Sequence, residues 1–274
     1  MDASHLFWHL IRFVALWVAL AGQTIAGTRD PNTPDSKYVE FGAKFPNVVG
    51  LISKVKCDNP ECDVAVHTQK GSAVVIRPHW ILTAAHVVRD ATQHTAVVLE
   101  NDKYIEYALP HVVWHKDFDD DTFGVHDIAL CYSAKKIPMA FYPELYGKAD
   151  ELGKPITFAG WGMHGTFLSG ATQSDNKRRG GQNVVSGALR TALMCEPRRT
   201  NRFPLEFGIA SGDSGGGMFI GNKLAGINSF LMSTDAKPDG TYGDESAFTR
   251  VSLYVEWVNE QIAEIGRASC RERV

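Results

Sequence analysis

Ser211-Gly-Asp-Ser214-Gly-Gly-Gly217 is the stretch on which the reading of this 274-residue chain turns. A serine hydroxyl set among glycines is accessible, and Gly212 lets its own N–H and that of Ser214 point at one spot, where they could hold a developing oxyanion. A serine is a weak nucleophile until an imidazole takes its proton, and that imidazole needs a buried acceptor to fix its tautomer. Two upstream segments offer the missing groups: Leu82-Thr-Ala-Ala-His86 and His126-Asp127-Ile-Ala-Leu130. Each segment alone has a plain explanation. Gly, Asp and Ser dominate turns for backbone reasons; His86 in the apolar run Ile81–Val88 could be a core histidine; Asp127 could open a strand. Together, in the order His, Asp, Ser, they form a constellation suited to nucleophilic catalysis.

Working outward, the apolar runs are short, rich in β-branched residues and bounded by turns: 73–76, 96–99 and 128–130, then 156–158, 218–220 and 224–227. Many short strands separated by turns predict an all-β sandwich or barrel. With 25 glycines against 12 prolines the composition is that of a turn-rich globular protein, and 44% of the chain is apolar. The net charge of −3 shows no large basic excess, which argues against nucleic acid as a partner.

The three motifs resemble those of the trypsin/chymotrypsin family of serine endopeptidases. Ala159-Gly-Trp161-Gly162, Gly226-Ile-Asn-Ser229-Phe230 and the stretch from Thr249 to Val258 extend the resemblance over about residues 45–264. The resemblance implies two six-stranded antiparallel β-barrels with the active site between them and a C-terminal helix. It places the first barrel at about 45–145, the second at about 155–250 and the helix at about 251–264. It also implies the roles: His86 as base and acid, Asp127 as its orienting carboxylate, Ser214 as nucleophile, and Gly212 and Ser214 as oxyanion donors. Asp213 is the structural aspartate that family members pair with a new N-terminal ammonium. The backbone from Ser229 through Phe230 to Leu231 would pair with substrate.

Further inferences rest on that resemblance. The pocket-floor position falls on Gly208, with Leu231 at the rim and Ser246 on the far wall. The expected cleavage is therefore after small or medium apolar residues. No metal or organic cofactor is called for, and the partners are protein or peptide substrates acting on a monomer. The family's Ile-Val-Gly-Gly start is absent upstream of Phe45, leaving an atypical N-terminus or an enzyme needing no zymogen cleavage. The alternative function is a catalytically silent, protease-like binding protein. The heat-shock proteases that carry PDZ domains share the Thr-Ala-Ala-His-Val motif, and they would call for a further C-terminal domain.

The chain ends differ from the middle. Residues 13–21 form a short apolar run after Arg12, followed by small residues, the outline of a secretory signal peptide at 1–26 cleaved after Ala21 or Ala26. The protein is then secreted or periplasmic, with no stable membrane association once the signal is removed. Residues 27–44 read as an N-terminal segment and candidate pro-segment. Residues 265–274 accumulate arginines without an apolar period and resemble a translated sequencing adapter or a disordered tail.

Five cysteines are present, and none stands where the vertebrate digestive enzymes have theirs after the histidine or at the pocket, a pattern closer to bacterial branches of the family. Cys57 and Cys62 enclose a turn-forming Asp-Asn-Pro-Glu and read first as a local disulfide, then as free thiols, and last as part of a metal site. Cys131, in an apolar strand, reads as an inert buried thiol. The acidic run Asp117–Asp121 lacks the calcium-loop spacing and reads as a solvated loop. Lys177-Arg178-Arg179 reads as part of an exposed loop.

Overall fold

The computed structural model describes residues 27–56, 66–122 and 124–271. The expected signal peptide and the Cys57–Cys62 pair lie outside the described residues.

The first large sheet runs in the order Lys103–Ala108, Gln93–Glu100, Val48–Lys56, Val66–Arg77, Trp80–Thr83, Ala129–Tyr132, His111–Trp114. Its two edge strands are consecutive in the chain, separated only by Leu109 and Pro110. Proline has no N–H to give a ladder, so Pro110 breaks one long strand into halves that lie at opposite edges. The sheet thus closes as a barrel of six strands, one of them broken. The second large sheet closes by the same device. Its order is Arg179–Val184, Pro155–Gly160, Gly217–Ile220, Lys223–Met232, Glu245–Arg250, Ala192–Cys195, Gly187–Leu189. Here Val185 and Ser186 separate the halves, and their N–H groups reach to Lys154 and Met194 on opposite sides at 3.0 and 2.9 Å. All pairs in both barrels are antiparallel.

The apolar runs read from sequence supply the barrel interiors. Val74, Ile81, Leu82 and Leu130 are fully buried in the first, and Phe158, Met218 and Phe248 in the second. Cys131 is free and buried, and burial pushes its thiol up to about 12, as an inert thiol requires. No helix among the described residues is long and apolar enough to cross a membrane.

Both chain ends pack across the molecule. Residues 27–44 build into the second barrel although they precede the first. Thr28–Arg29 is a strand in a small four-stranded sheet, parallel to His164–Thr166 and antiparallel to Phe207–Gly208. The helix Asp35–Gly42 buries Tyr38 completely, its ring stacked 5.7 Å from Phe207. At the other end, Val251–Leu253 form a 3-10 turn and the α-helix spans Val255–Arg271. This corrects the expected helix at 251–264 and the expected disordered tail as far as Arg271. The apolar period continues through Val258, Ile262 and Ile265, which pack on the core of the first barrel. Arg and Ala in the following stretch are good helix formers.

Lys177-Arg178-Arg179 is a second correction. Arg179 opens a barrel strand with its side chain only 1% exposed, forked onto Asp35 and Asp175 by bonds of 2.7–2.8 Å. Arg178 donates to the carbonyls of Gly42 and Val48. Asp35 lies 144 residues away in sequence, so no local pattern announces the burial of this cation.

Candidate active site

His86 sits in the four-residue helical turn Ala85–Val88 directly after the strand Trp80–Thr83 of the first barrel. Asp127 stands two residues before the strand Ala129–Tyr132, which pairs with Trp80–Thr83, so sheet register alone brings the two residues together. His86 Nδ1 lies 2.8 Å from Asp127 Oδ2, and the His86 backbone N–H donates to Asp127 Oδ1 at 3.0 Å. A carboxylate only accepts, so Nδ1 carries the proton and Nε2 keeps its lone pair. Asp127 is 1% exposed. Burial raises its pKa, but the facing imidazole and the hydrogen bonds from His86 and Ser229 outweigh this and hold it below the usual carboxylate value. Burial likewise lowers the His86 pKa, and the charge and hydrogen bond of Asp127 outweigh that, leaving the imidazole above its ordinary value.

Ser229 connects this couple to the second barrel. Its hydroxyl donates to Asp127 Oδ2, and its carbonyl lies 3.5 Å from Ser214 Oγ. One residue thus touches both the carboxylate and the serine. Thr249 adds a second tie, donating to the Asp127 carbonyl at 2.7 Å. On the far side of Asp127, His126 adopts a left-handed φ of 60°, uncommon for a residue with a side chain. Its Nδ1 lies 2.9 Å from the Tyr254 hydroxyl, and its ring stacks on His115 at 4.5 Å.

The glycines around Ser214 are set by contact. A Cβ on Gly215, whose φ is 87°, would lie 2.1 Å from both the Ser72 carbonyl and Thr83 Oγ1. A Cβ on Gly160 of Ala159-Gly-Trp161-Gly162 would lie 2.1 Å from Asp213 Oδ1, and Gly162 N–H donates to that same oxygen. Ser72, which the sequence did not single out, holds the serine loop from the first barrel. Its N–H donates to the Ser214 carbonyl at 2.8 Å, its hydroxyl donates to the Gly212 carbonyl at 2.9 Å, and Trp161 N–H donates back to that hydroxyl. Asn228 completes the cradle by donating to the carbonyls of Ala159 and Asp213.

Gly208 lies in the short strand Phe207–Gly208, and a Cβ there would meet Thr28 Oγ1, Phe167 and Ser246 Oγ at 3.2–3.6 Å. Phe230 and Leu231 pair with Ala247 and Ser246, which brings Gly208, Ser246 and Leu231 into one neighbourhood.

The Trypsin family model matches residues 52–258. The chain belongs to the trypsin family. It is 24% identical over 260 residues to kallikrein-1E2 of Equus caballus, covering 83% of this chain and 95% of the relative. It is 27% identical over 247 residues to a collagenase of Hypoderma lineatum, covering 81% and 85%. In fold it is similar to mouse neuropsin, a serine protease, with a TM-score of 0.62 at 15% identity over 85% of this chain and 98% of that one. This trypsin-family chain is a serine endopeptidase acting on protein or peptide substrates.

Proposed function

We propose that the protein is a secreted serine endopeptidase that works as a monomer through an acyl-enzyme. The observation that carries this reading is the junction at Ser229, which joins the His86–Asp127 couple of one barrel to Ser214 of the other. Rotation of Ser214 Oγ from the Ser229 carbonyl toward His86 Nε2 makes the hydroxyl available to a base whose other nitrogen is already held. His86 takes the proton as Ser214 attacks the scissile carbonyl and returns it to the leaving amine. The N–H groups of Gly212 and Ser214, on either side of Asp213, then receive the oxyanion. Ser72 fixes the Gly212 carbonyl, and Asp213 N–H donates to Ala210 at 3.1 Å, so the peptide between the two donors is set before substrate arrives.

The substrate pocket supports cleavage after small or medium apolar residues. Gly208 brings no carboxylate to the floor, and its surroundings are a ring and two hydroxyls. A lysine or arginine buried there would lack a charged partner, at a cost of several kcal/mol (~3–5 kcal/mol for an uncompensated charge). Leu231 narrows the rim.

A fluorophosphonate probe tests the chemistry. Labelling of Ser214, lost in Ser214→Ala together with peptide hydrolysis, is the expected result. A folded, processed protein that takes no label would instead be a silent binding protein. A peptide library read by mass spectrometry tests the pocket, and dominant cleavage after Arg or Lys would reject it.

A further inference from the structure

The left-handed backbone of His126 stands directly beside the Asp127 carboxylate. A residue with a side chain adopts that conformation at a cost in free energy, and keeps it only where its surroundings over-determine it. Its effect on Asp127 is local. Ile128 N–H donates to the His126 carbonyl at 2.8 Å, and Asp127 N–H donates to the Gly124 carbonyl at 3.2 Å. Asp127 therefore sits at the centre of a tight turn whose first residue is His126. The direction in which the carboxylate leaves the backbone depends on how His126 is held.

The grip on His126 comes from elsewhere in the molecule. Thr191, just before the second-barrel strand Ala192–Cys195, accepts the His126 backbone N–H at 3.4 Å. Tyr254, between the 3-10 turn and the C-terminal helix, has its hydroxyl 2.9 Å from His126 Nδ1 and hydrogen-bonded to the Thr191 side chain. Tyr254 is 3% exposed, and burial pushes its hydroxyl up to about 12, so it keeps its proton. The assignment that uses every proton runs one way round a closed circuit: His126 N–H to Thr191, the Thr191 hydroxyl to Tyr254, and the Tyr254 hydroxyl to His126 Nδ1. Hydrogen bonds in such a chain polarise and strengthen one another. The imidazole of His126 also stacks on His115 at 4.5 Å and 10°, and His115 packs on Tyr254 and Trp257 at 5.5 and 5.6 Å. Asp117 N–H donates to His115 Nδ1 at 3.3 Å, which leaves the Tyr254 hydroxyl to His126.

We propose that His126 is a positioning residue for the catalytic carboxylate: the circuit through Thr191 and Tyr254 keeps it left-handed, and that conformation aims Asp127 at His86. This rests on the peptidase reading above and adds the device that sets up its base. The second barrel and the C-terminal segment thereby reach Asp127 through the backbone of His126, besides the direct bonds from Ser229 and Thr249.

Three variants of the full chain test this. Tyr254→Phe removes one oxygen from the circuit and keeps the packing. His126→Ala removes the imidazole, and His126→Asn puts back a residue that tolerates the left-handed region. The measurements are kcat, KM, thermal midpoint and the titration of the His86 imidazole by NMR, assigned by difference from His86→Ala. Slight misplacement of a catalytic group should lower kcat by about tenfold in Tyr254→Phe and more in His126→Ala, with KM changed by less than about twofold. His126→Asn should recover most of what His126→Ala loses. Asp127 holds the His86 pKa above its ordinary value, so displacing the carboxylate should bring that titration down toward about 6.5. Arg89 and Asp120, the other charges facing His86, are the same in every variant. An unaltered His86 titration in either Tyr254→Phe or His126→Ala overturns the proposal, whatever happens to turnover or the midpoint. So does an Asn variant that behaves no better than Ala. If the parent neither hydrolyses peptides nor takes a fluorophosphonate label, yet the His86 titration falls in the variants and returns with Asn, the positioning role stands and the peptidase reading fails.

Discussion

At the scale of single residues, the Asp127 carboxylate accepts three hydrogen bonds, two from His86 and one from Ser229. His86 Nδ1–H depends on Asp127 for its tautomer, so Asp127→Asn should lower turnover by about four decades with little change in KM. Steady-state kinetics on a peptide substrate checks this, and near-normal turnover would remove Asp127 from the mechanism. The same pair sets the pH profile. Catalysis needs neutral His86, and its pKa stands above the ordinary value because Asp127 favours the charged form. The acid limb of kcat/KM should therefore fall above about 6.5, the unperturbed imidazole value. Ser229→Ala removes one donor to Asp127 without touching His86. Its expected signature is a further rise of that limb, since a less stabilised carboxylate competes harder for the proton. An unchanged limb would reduce Ser229 to a packing residue.

Among the structural elements, the barrel strands were legible in the sequence and the ties between them were not. Strands such as Ala129–Tyr132 and Gly217–Ile220 announce themselves because burial on both faces leaves an unbroken apolar run. The glycines about Ser214 were legible through the nucleophile motif, although the groups that require Gly215, Ser72 and Thr83, lie far away in the chain. Ser72 and Arg179 carry no such mark. Ser72 is one small residue in a strand, and the partners of its hydroxyl lie 89 and 140 residues away. Arg179 looks like part of a basic loop until Asp35 and Asp175 are seen on either side. Breaking that cluster with Arg179→Met should destabilise the fold by about 2–3 kcal/mol, less than a fully buried pair because both carboxylates are partly exposed. Urea unfolding with an unchanged m-value checks the figure. The sign with pH follows from the carboxylates. Both are held below their usual pKa, chiefly by hydrogen bonds from Arg179. Their contribution is present above about pH 4 and is lost as pH falls, so the mutant and parent should converge in acid.

For the molecule as a whole, the chain ends cross over. Residues 27–44 precede the first barrel but enter the core of the second, while the helix Val255–Arg271 follows the second barrel and packs on the first. Tyr254 and Val258 are almost fully buried in the first core, with Trp257, Ile262 and Ile265 partly buried against it. Each barrel therefore holds a segment tethered to the other, and the cleft between them carries Ser72, Ser229 and Thr249 as direct ties. Calorimetry should show one cooperative transition rather than two. The helix supplies the test of how far this clasp extends. Full burial of an isoleucine side chain stabilises by about 1.5–3 kcal/mol, and these two are partly exposed, so each is worth about 1 kcal/mol. Truncation after Glu264 removes Ile265 and should lower the midpoint by roughly 2–4 °C. Truncation after Gln261 removes Ile262 as well and should roughly double the loss. Because the helix reports on both barrels, the shorter chain should still unfold in one step, at a lower temperature. An unchanged midpoint after the first truncation would mean that the helix beyond Glu264 adds nothing to the fold. A split transition after the second would mean that the first barrel alone depends on it.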